Sequence, residues 1–401
     1  MQDLTLDDGT RLLHVGPHKT GTTTVQGAFN LARERLAELG VYYPPGRQPV
    51  RAAQAITGGT APLGEDKPQT KHWNTLVRRV NAAAAEKRIV VSSEFFADGD
   101  DDAARRVVEA LSGDDPLHVV VTLRPLTKIV SSQWQQYVQS GLRMGYADWL
   151  HQMFEVPPYN SPTPSFWRRH THDQLVERWA AAVGTENLTV VVADESDPMM
   201  LVRTFESLLG LPEQTLVPER ARTNRSLTAG EVELVRMLNV QFRASGWPED
   251  LYAKFLRYGA IMKMKAEHAP GPDEAKVVTP RWALERAAAV GGAAAAKIAN
   301  SGVRIVGDLD SLGAVPPDRG EDATDQGNVV ATASAAQAVL GAIGASDAFE
   351  EDVQEEVAAA QLPLLERPVR ETDAKSLVQV LLSRARRRMR RGVRRSLRIK
   401  R

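Results

Sequence analysis

The chain has 401 residues, 43% hydrophobic and 25% charged, enough to bury one large core or two smaller ones. It contains no cysteine, which excludes disulfides, thiolate metal sites and cysteine nucleophiles. Its zero net charge is uneven, because residues 384–401 hold eleven Arg or Lys and no acid, leaving 39 basic against 50 acidic groups elsewhere.

The first predicted element is a strand near 10–16 that runs into Gly16-Pro-His18-Lys19-Thr20-Gly21-Thr22-Thr23 and a helix near 22–38. Glycines that allow a tight turn, hydroxyls at a helix start and a lysine inside the loop together suit a phosphate-like anion. Gly16 and Gly21 have the spacing of the Walker A pattern, but Thr22 stands where that pattern requires Lys. A nucleoside triphosphate is therefore not the first expectation, and His18 is a candidate to face the acceptor or the transferred group.

Residues 45–70, rich in Gly, Pro and Thr, read as a long mobile loop over an acceptor site. A short strand near 89–93 then ends on Ser-Glu94-Phe-Phe, which puts a carboxylate at a strand's carboxyl end beside two aromatics, a position for a general base. The bland reading of Glu94 is a helix N-terminal carboxylate or a salt-bridge partner. After a helix near 103–111, the strand near 118–124 ends in Arg124, and Pro125 opens a helix near 126–140. Ser132 lies eight residues after Arg124, about two helical turns on, and can share an anion with it; Ser131 competes for that role.

Trp149, Phe154, Tyr159, Phe166 and Trp167 fall within residues 142–171, where packing against the sheet outweighs lining an acceptor pocket. A helix near 172–183, a strand near 188–194 and a helix near 199–209 complete a β-α-β alternation, the signature of a parallel sheet covered by helices. His170-Thr-His172 lacks the further ligands of a metal shell and reads as a helix start. Arg225 is a candidate phosphate contact ahead of a helix near 229–243, with a capping box from Thr228 to Glu231 as the alternative.

Residues 250–313 read as two more helices and a short strand at 303–306. Domain expectations follow: an α/β domain over 1–313 with a helical extension from about 250, a linker at 314–330, an Ala/Glu-rich helical segment at 331–370 and a basic tail at 371–401. With an apolar side from Leu377, Val380 and Leu381, that tail suits RNA or an anionic membrane surface. No apolar run has spanning length, and Asp3, Asp7 and Asp8 stand where a signal peptide has its basic start. A cytoplasmic location is expected, peripheral at the membrane if the tail docks there.

Lys19-Thr20-Gly21-Thr22-Thr23 after a first strand resembles the 5′-phosphosulfate loop of sulfotransferases that use 3′-phosphoadenosine 5′-phosphosulfate (PAPS). Arg124 and Ser132 are similar to the pair with which that family holds the 3′-phosphate, and Ser-Glu94 looks like its base position. Asn224-Arg225-Ser226-Leu227 resembles a late loop of bacterial members that returns to the nucleotide, and the actinobacterial-type resemblance extends over about three quarters of the chain. The chain departs from the family where Pro125 follows Arg124 directly, since members often carry Asp or Asn between the two.

The resemblance implies a P-loop-like sheet, PAPS as co-substrate and no metal. It further implies sulfuryl transfer to the hydroxyl of a carbohydrate, glycolipid or small metabolite, with Glu94 as base and Lys19 stabilising the transition state. Thr20, Gly21, Thr22 and Thr23 would hold the 5′ end. A kinase-like phosphotransferase and a non-catalytic nucleotide-binding protein are the rival readings. Against the first stands the missing lysine after Gly21, and against the second the joint presence of Lys19 and Glu94.

Overall fold

The computed structural model describes residues 4–361 apart from 8, 47, 60–62, 64–68, 85–86, 114–116, 156–161, 219–224 and 318–328, with side chains described as far as 346. The basic tail, Tyr159 and most of the expected linker thus lie outside the described residues.

The strands are β1 (Arg11–Val15), β2 (Val41–Tyr42), β3 (Arg88–Ser92), β4 (Leu117–Leu123), β5 (Leu188–Val192) and β6 (Arg304–Val306). They form one parallel sheet in the order β2-β3-β1-β4-β5-β6. Every residue of β1, β4 and β5 is buried, as expected of Leu/Val runs covered on both faces. Alternation divides them: Leu13, Val15, Val119 and Val121 join Phe96 and Trp179 on one face, while Leu12, Val120 and Val191 join Phe29 and Phe205 on the other.

Ahead of β3 lie α1 (Thr22–Leu31), α2 (Arg33–Glu38), α3 (Gln48–Thr57) and α4 (Thr70–Ala84). The predicted single helix over 22–38 breaks at Ala32, and the expected loop over 45–70 contains α3. Pro49 fits α3 because it sits in the first turn, where a missing N–H costs nothing, and Ala52, Ala53 and Gln54 are buried. The Gly and Pro clusters that suggested a loop flank this ten-residue helix.

A 3₁₀ turn at Glu94–Asp98 and α5 (Asp101–Leu111) follow β3. After β4 come α6 (Leu126–Gln139), α7 (Tyr146–Phe154), α8 (Ser165–His170), α9 (His172–Val183), and, beyond β5, α10 (Met200–Leu208). The described aromatics of 142–171 pack in a separate helical core, not against the sheet. There Trp149 and Phe166 are fully buried and meet edge to face, with ring centroids 5.5 Å apart, beside Trp134 and Met153. Truncating Trp149 would cost about 3–5 kcal/mol.

The C-terminal part supplies α11 (Ala229–Ala244), α12 (Glu249–Leu251), a π-helical stretch at Tyr252–Ile261, α13 (Met262–Glu267), α14 (Arg281–Ala299) and α15 (Thr332–Gln361). The capping box exists: Thr228 accepts from the Glu231 amide and Glu231 accepts from the Thr228 amide. Ser334 of α15 donates to Glu231 Oε1 at 2.6 Å, which ties the Ala-rich helix to α11. No described helix is long and apolar enough to cross a membrane.

Candidate functional site

The chain runs from β1 to β3 on one side of β1, then crosses to β4 on the other, so three strand ends open on a single crevice. Ligands collect at such a reversal in open α/β sheets. Here β1 delivers the Gly16–Thr23 loop, β3 delivers Glu94 and β4 delivers Arg124.

Backbone geometry makes the loop. Lys19 has φ 71° and Gly21 φ 93°, both left-handed, and for lysine that conformation is sterically disfavoured. Gly16 is required by close approach, since a Cβ there would overlap the hydroxyls of Thr22 and Thr122 and the His14 ring. No side chain caps α1, whose first amides therefore remain available to an anion. Thr20 and Thr22 are turned inward: Thr20 donates to the Pro17 carbonyl at 2.8 Å and Thr22 to that of Gly16 at 3.2 Å. Of the three threonines expected to bind an anion, Thr23 has the exposed side chain.

A buried chain of hydrogen bonds holds this arrangement. Because the single Thr20 proton goes to Pro17, Thr122 must donate to Thr20 across 2.9 Å. His14 Nε2–H then donates to Thr122 at 3.1 Å, and the Ser92 hydroxyl donates to His14 Nδ1 at 2.8 Å. Burial lowers the His14 pKa to about 3, so the imidazole is neutral, as this order of donors requires. The chain joins β3, β1 and β4 to the loop. His14, Ser92 and Thr122 each lie two residues before Gly16, Glu94 and Arg124, a polar position at the end of an apolar strand that the sequence reading passed over.

Lys19 is half-buried among charges. Burial lowers its pKa to about 8, Lys265 and Arg124 add to the fall, and Glu94 opposes it. Lys265, in α13, is a cation that strand-end patterns cannot reveal. Burial and Arg225 lower its own pKa, opposed by Glu231. Glu94 accepts a hydrogen bond from Gln26 Nε2 at 3.1 Å.

Arg124 donates through Nη1 to the Lys19 carbonyl at 3.2 Å and through Nε to Glu195 Oε1 at 2.9 Å, with Nη2 on the same carboxylate. Lys128 reaches Glu195 Oε2 at 3.1 Å. Partial burial pushes Glu195 upward, but these donors outweigh it and hold the carboxyl below its usual pKa. An internal carboxylate thus occupies the guanidinium face expected to bind phosphate. Ser132 donates to Ile129 O at 2.9 Å within its own helix.

Arg225 forms a bidentate pair with Glu231 at 2.7 and 2.8 Å and donates to the Met264 carbonyl at 3.0 Å. It anchors α13, and with it Lys265, to α11. Glu231, His268 and Glu274 also lie within ligating distance of one another, but the Arg225 guanidinium already neutralises Glu231.

His18 is buried with its ring edge-on to Phe95, centroids 4.9 Å apart. Gln136 Nε2 donates to His18 Nδ1 at 3.2 Å, so the neutral ring carries its proton on Nε2, which has no partner among the described residues. Burial, Arg169, His170 and Lys19 keep its pKa well below 6.5. His18 borders a cavity of 530 Å³ that Phe95, Gln136, Tyr137, Arg168 and Arg169 also line. His170 and His172 are buried on the α8–α9 junction, away from any described ligand cluster.

No protein-family model and no curated protein sequence matches the chain. Among solved structures, a sulfotransferase from Alicyclobacillus acidocaldarius is similar over 59% of this chain and 92% of its own, at 18% identity and a TM-score of 0.40.

Proposed function

We propose that the chain transfers a sulfuryl group from PAPS to the hydroxyl of a carbohydrate, glycolipid or small metabolite. The reading rests on one observation: a left-handed Lys19 inside an uncapped strand-to-helix loop, with a second cation just after β4 and a carboxylate just after β3 at the same crevice. Such a set is suited to a reaction in which the protein positions reactants and stabilises charge without bonding to them.

In this mechanism Glu94, oriented by Gln26, takes the acceptor's proton as the acceptor oxygen bonds to sulfur. The bond from sulfur to the bridging oxygen breaks, and its electron pair stays on the departing 5′-phosphate. Lys19 and the first amides of α1 neutralise the charge that grows on that oxygen, a contribution of about 3–4 kcal/mol for one preorganised donor. Arg124 meets the 3′-phosphate after exchanging Glu195 for it. His18 Nε2–H donates to the acceptor and, being neutral with that nitrogen protonated, leaves the base role to Glu94.

Calorimetric titration with 3′-phosphoadenosine 5′-phosphate beside ATP, without divalent metal, tests the reading. Tight binding of the first alone is expected. Tight, Mg²⁺-dependent ATP binding instead would support the phosphotransferase. Glu94→Gln should lower turnover by about 10²–10⁴-fold and leave nucleotide affinity unchanged.

A further inference from the structure

The 530 Å³ cavity beside His18 lies within the usual size of small-molecule sites, about 300–1,000 Å³. One wall is α6, through Gln136 and Tyr137, and the other is α8, through Ser165, Arg168 and Arg169. Tyr137 and Ser165 hydroxyls close the gap between the walls at 3.0 Å. Phe95 and His18 also border the cavity, and each directly follows or precedes in sequence a residue of the proposed chemistry, Glu94 and Lys19.

Among the described residues, Arg168 and Arg169 line it with one carboxylate, Asp98. Asp98 is committed to Arg169 through a buried two-point pair, Nη2 to Oδ2 at 2.7 Å, which is strong enough to keep Arg169 charged against the penalty of burial. Arg168 is different. Its side chain is exposed, it donates to the Asp98 backbone carbonyl at 3.3 Å, and no carboxylate pairs with it among the described residues. A guanidinium with no carboxylate partner among the described residues, on a pocket that His18 also borders, is a site for an anion beside a hydroxyl.

We infer that the acceptor is itself anionic: a hydroxylated molecule bearing a carboxylate or a sulfate or phosphate ester, with Arg168 holding that group and His18 the oxygen to be sulfated. This rests on the sulfuryl-transfer reading. It also meets a demand of that chemistry, because a negatively charged acceptor approaching a negatively charged sulfuryl donor needs cations on its own side of the site.

The test is binding of three matched probes, glucose, glucuronate and glucose 6-sulfate, to the full chain loaded with 3′-phosphoadenosine 5′-phosphate. Binding of one or both anions at least tenfold tighter than glucose is expected, and their relative affinities separate carboxylate from sulfate ester. Arg168→Ala should cost the anions about 10- to 100-fold while glucose is unaffected, with partial recovery in Arg168→Lys. Arg168 is exposed, so the variant should fold, and its nucleotide affinity serves as the control. No preference for the anionic probes, or no binding of any probe, overturns the inference. Failure of the wild-type chain to bind the nucleotide refutes the sulfuryl-transfer reading instead.

Discussion

Replacing Lys19 by Met should make the ligand-free protein more stable while removing its activity. The pKa of Lys19 falls from 10.5 to about 8, chiefly by burial, and at about 1.4 kcal/mol per tenfold change this is about 3 kcal/mol against the charged form. The sign follows from proton binding. Between pH 8 and 10.5 the unfolded chain holds more protons at this site, so folding stability rises with pH through that window, and the penalty is present in full below it. Lys19→Met has nearly the same volume and no charge. At pH 7 it should gain about 3 kcal/mol in urea unfolding, and at pH 9.5 only about 1.4 kcal/mol, because there more than half of the penalty in the wild type has gone. Its turnover should fall by about two to three orders of magnitude, the loss expected for one transition-state donor. Loss of stability in Lys19→Met at pH 7, or a gain independent of pH, would refute the claim that a cation whose desolvation is only partly offset sits in this loop.

Two further outcomes concern nucleotide recognition and the tail. Arg124→Ala should weaken 3′-phosphoadenosine 5′-phosphate by about tenfold or more and hardly change adenosine 5′-phosphosulfate, whereas Glu195→Gln should strengthen the first. Equal effects on both ligands in calorimetry would show that this guanidinium does not read the 3′-phosphate. Deleting 384–401 should abolish salt-sensitive binding to RNA or anionic liposomes and leave turnover of a soluble acceptor intact. Loss of that turnover in a folded truncation would place the tail in the site.

The elements that were legible in the sequence are those whose own side chains dictate them. The runs of β1, β4 and β5 read as buried parallel strands because Leu and Val dominate them on both faces, and the Gly-Lys-Thr loop announces its turn through glycine spacing. The two-residue β2 is too short to carry a period, and α3 hides between clusters of glycine and proline. Lys265 and Arg168 were not legible because their surroundings come from tertiary placement: one is brought near Lys19 by the Arg225–Glu231 anchor, and the other has no carboxylate partner among the described residues, Asp98 being held by its neighbour Arg169. The His14–Thr122–Thr20 chain was hidden for a related reason. A polar residue in an apolar strand looks like an irregularity until the parallel register sets β1 between β3 and β4.

These placements also explain how a crevice containing Lys19, Arg124 and Lys265 can exist before any ligand arrives. Like charges at one site repel, and burial sharpens that repulsion, so the loop needs rigid support and internal anions to keep its shape. Support comes from the neutral His14 chain, which fixes the loop without adding charge. The anions are unequal in kind. Glu94 opposes the loss of the Lys19 proton and is the proposed base, whereas Glu195 sits on a partly exposed loop beyond β5 and spans Arg124 and Lys128, contacts that a phosphate could replace. Exchanging Glu195 for a dianion releases a solvated carboxylate and adds charge where Lys19 lacks it, which draws the Lys19 pKa back up. Nucleotide binding above pH 8 should therefore take up a proton, and the affinity gained through that uptake is a property of the loop's own burial.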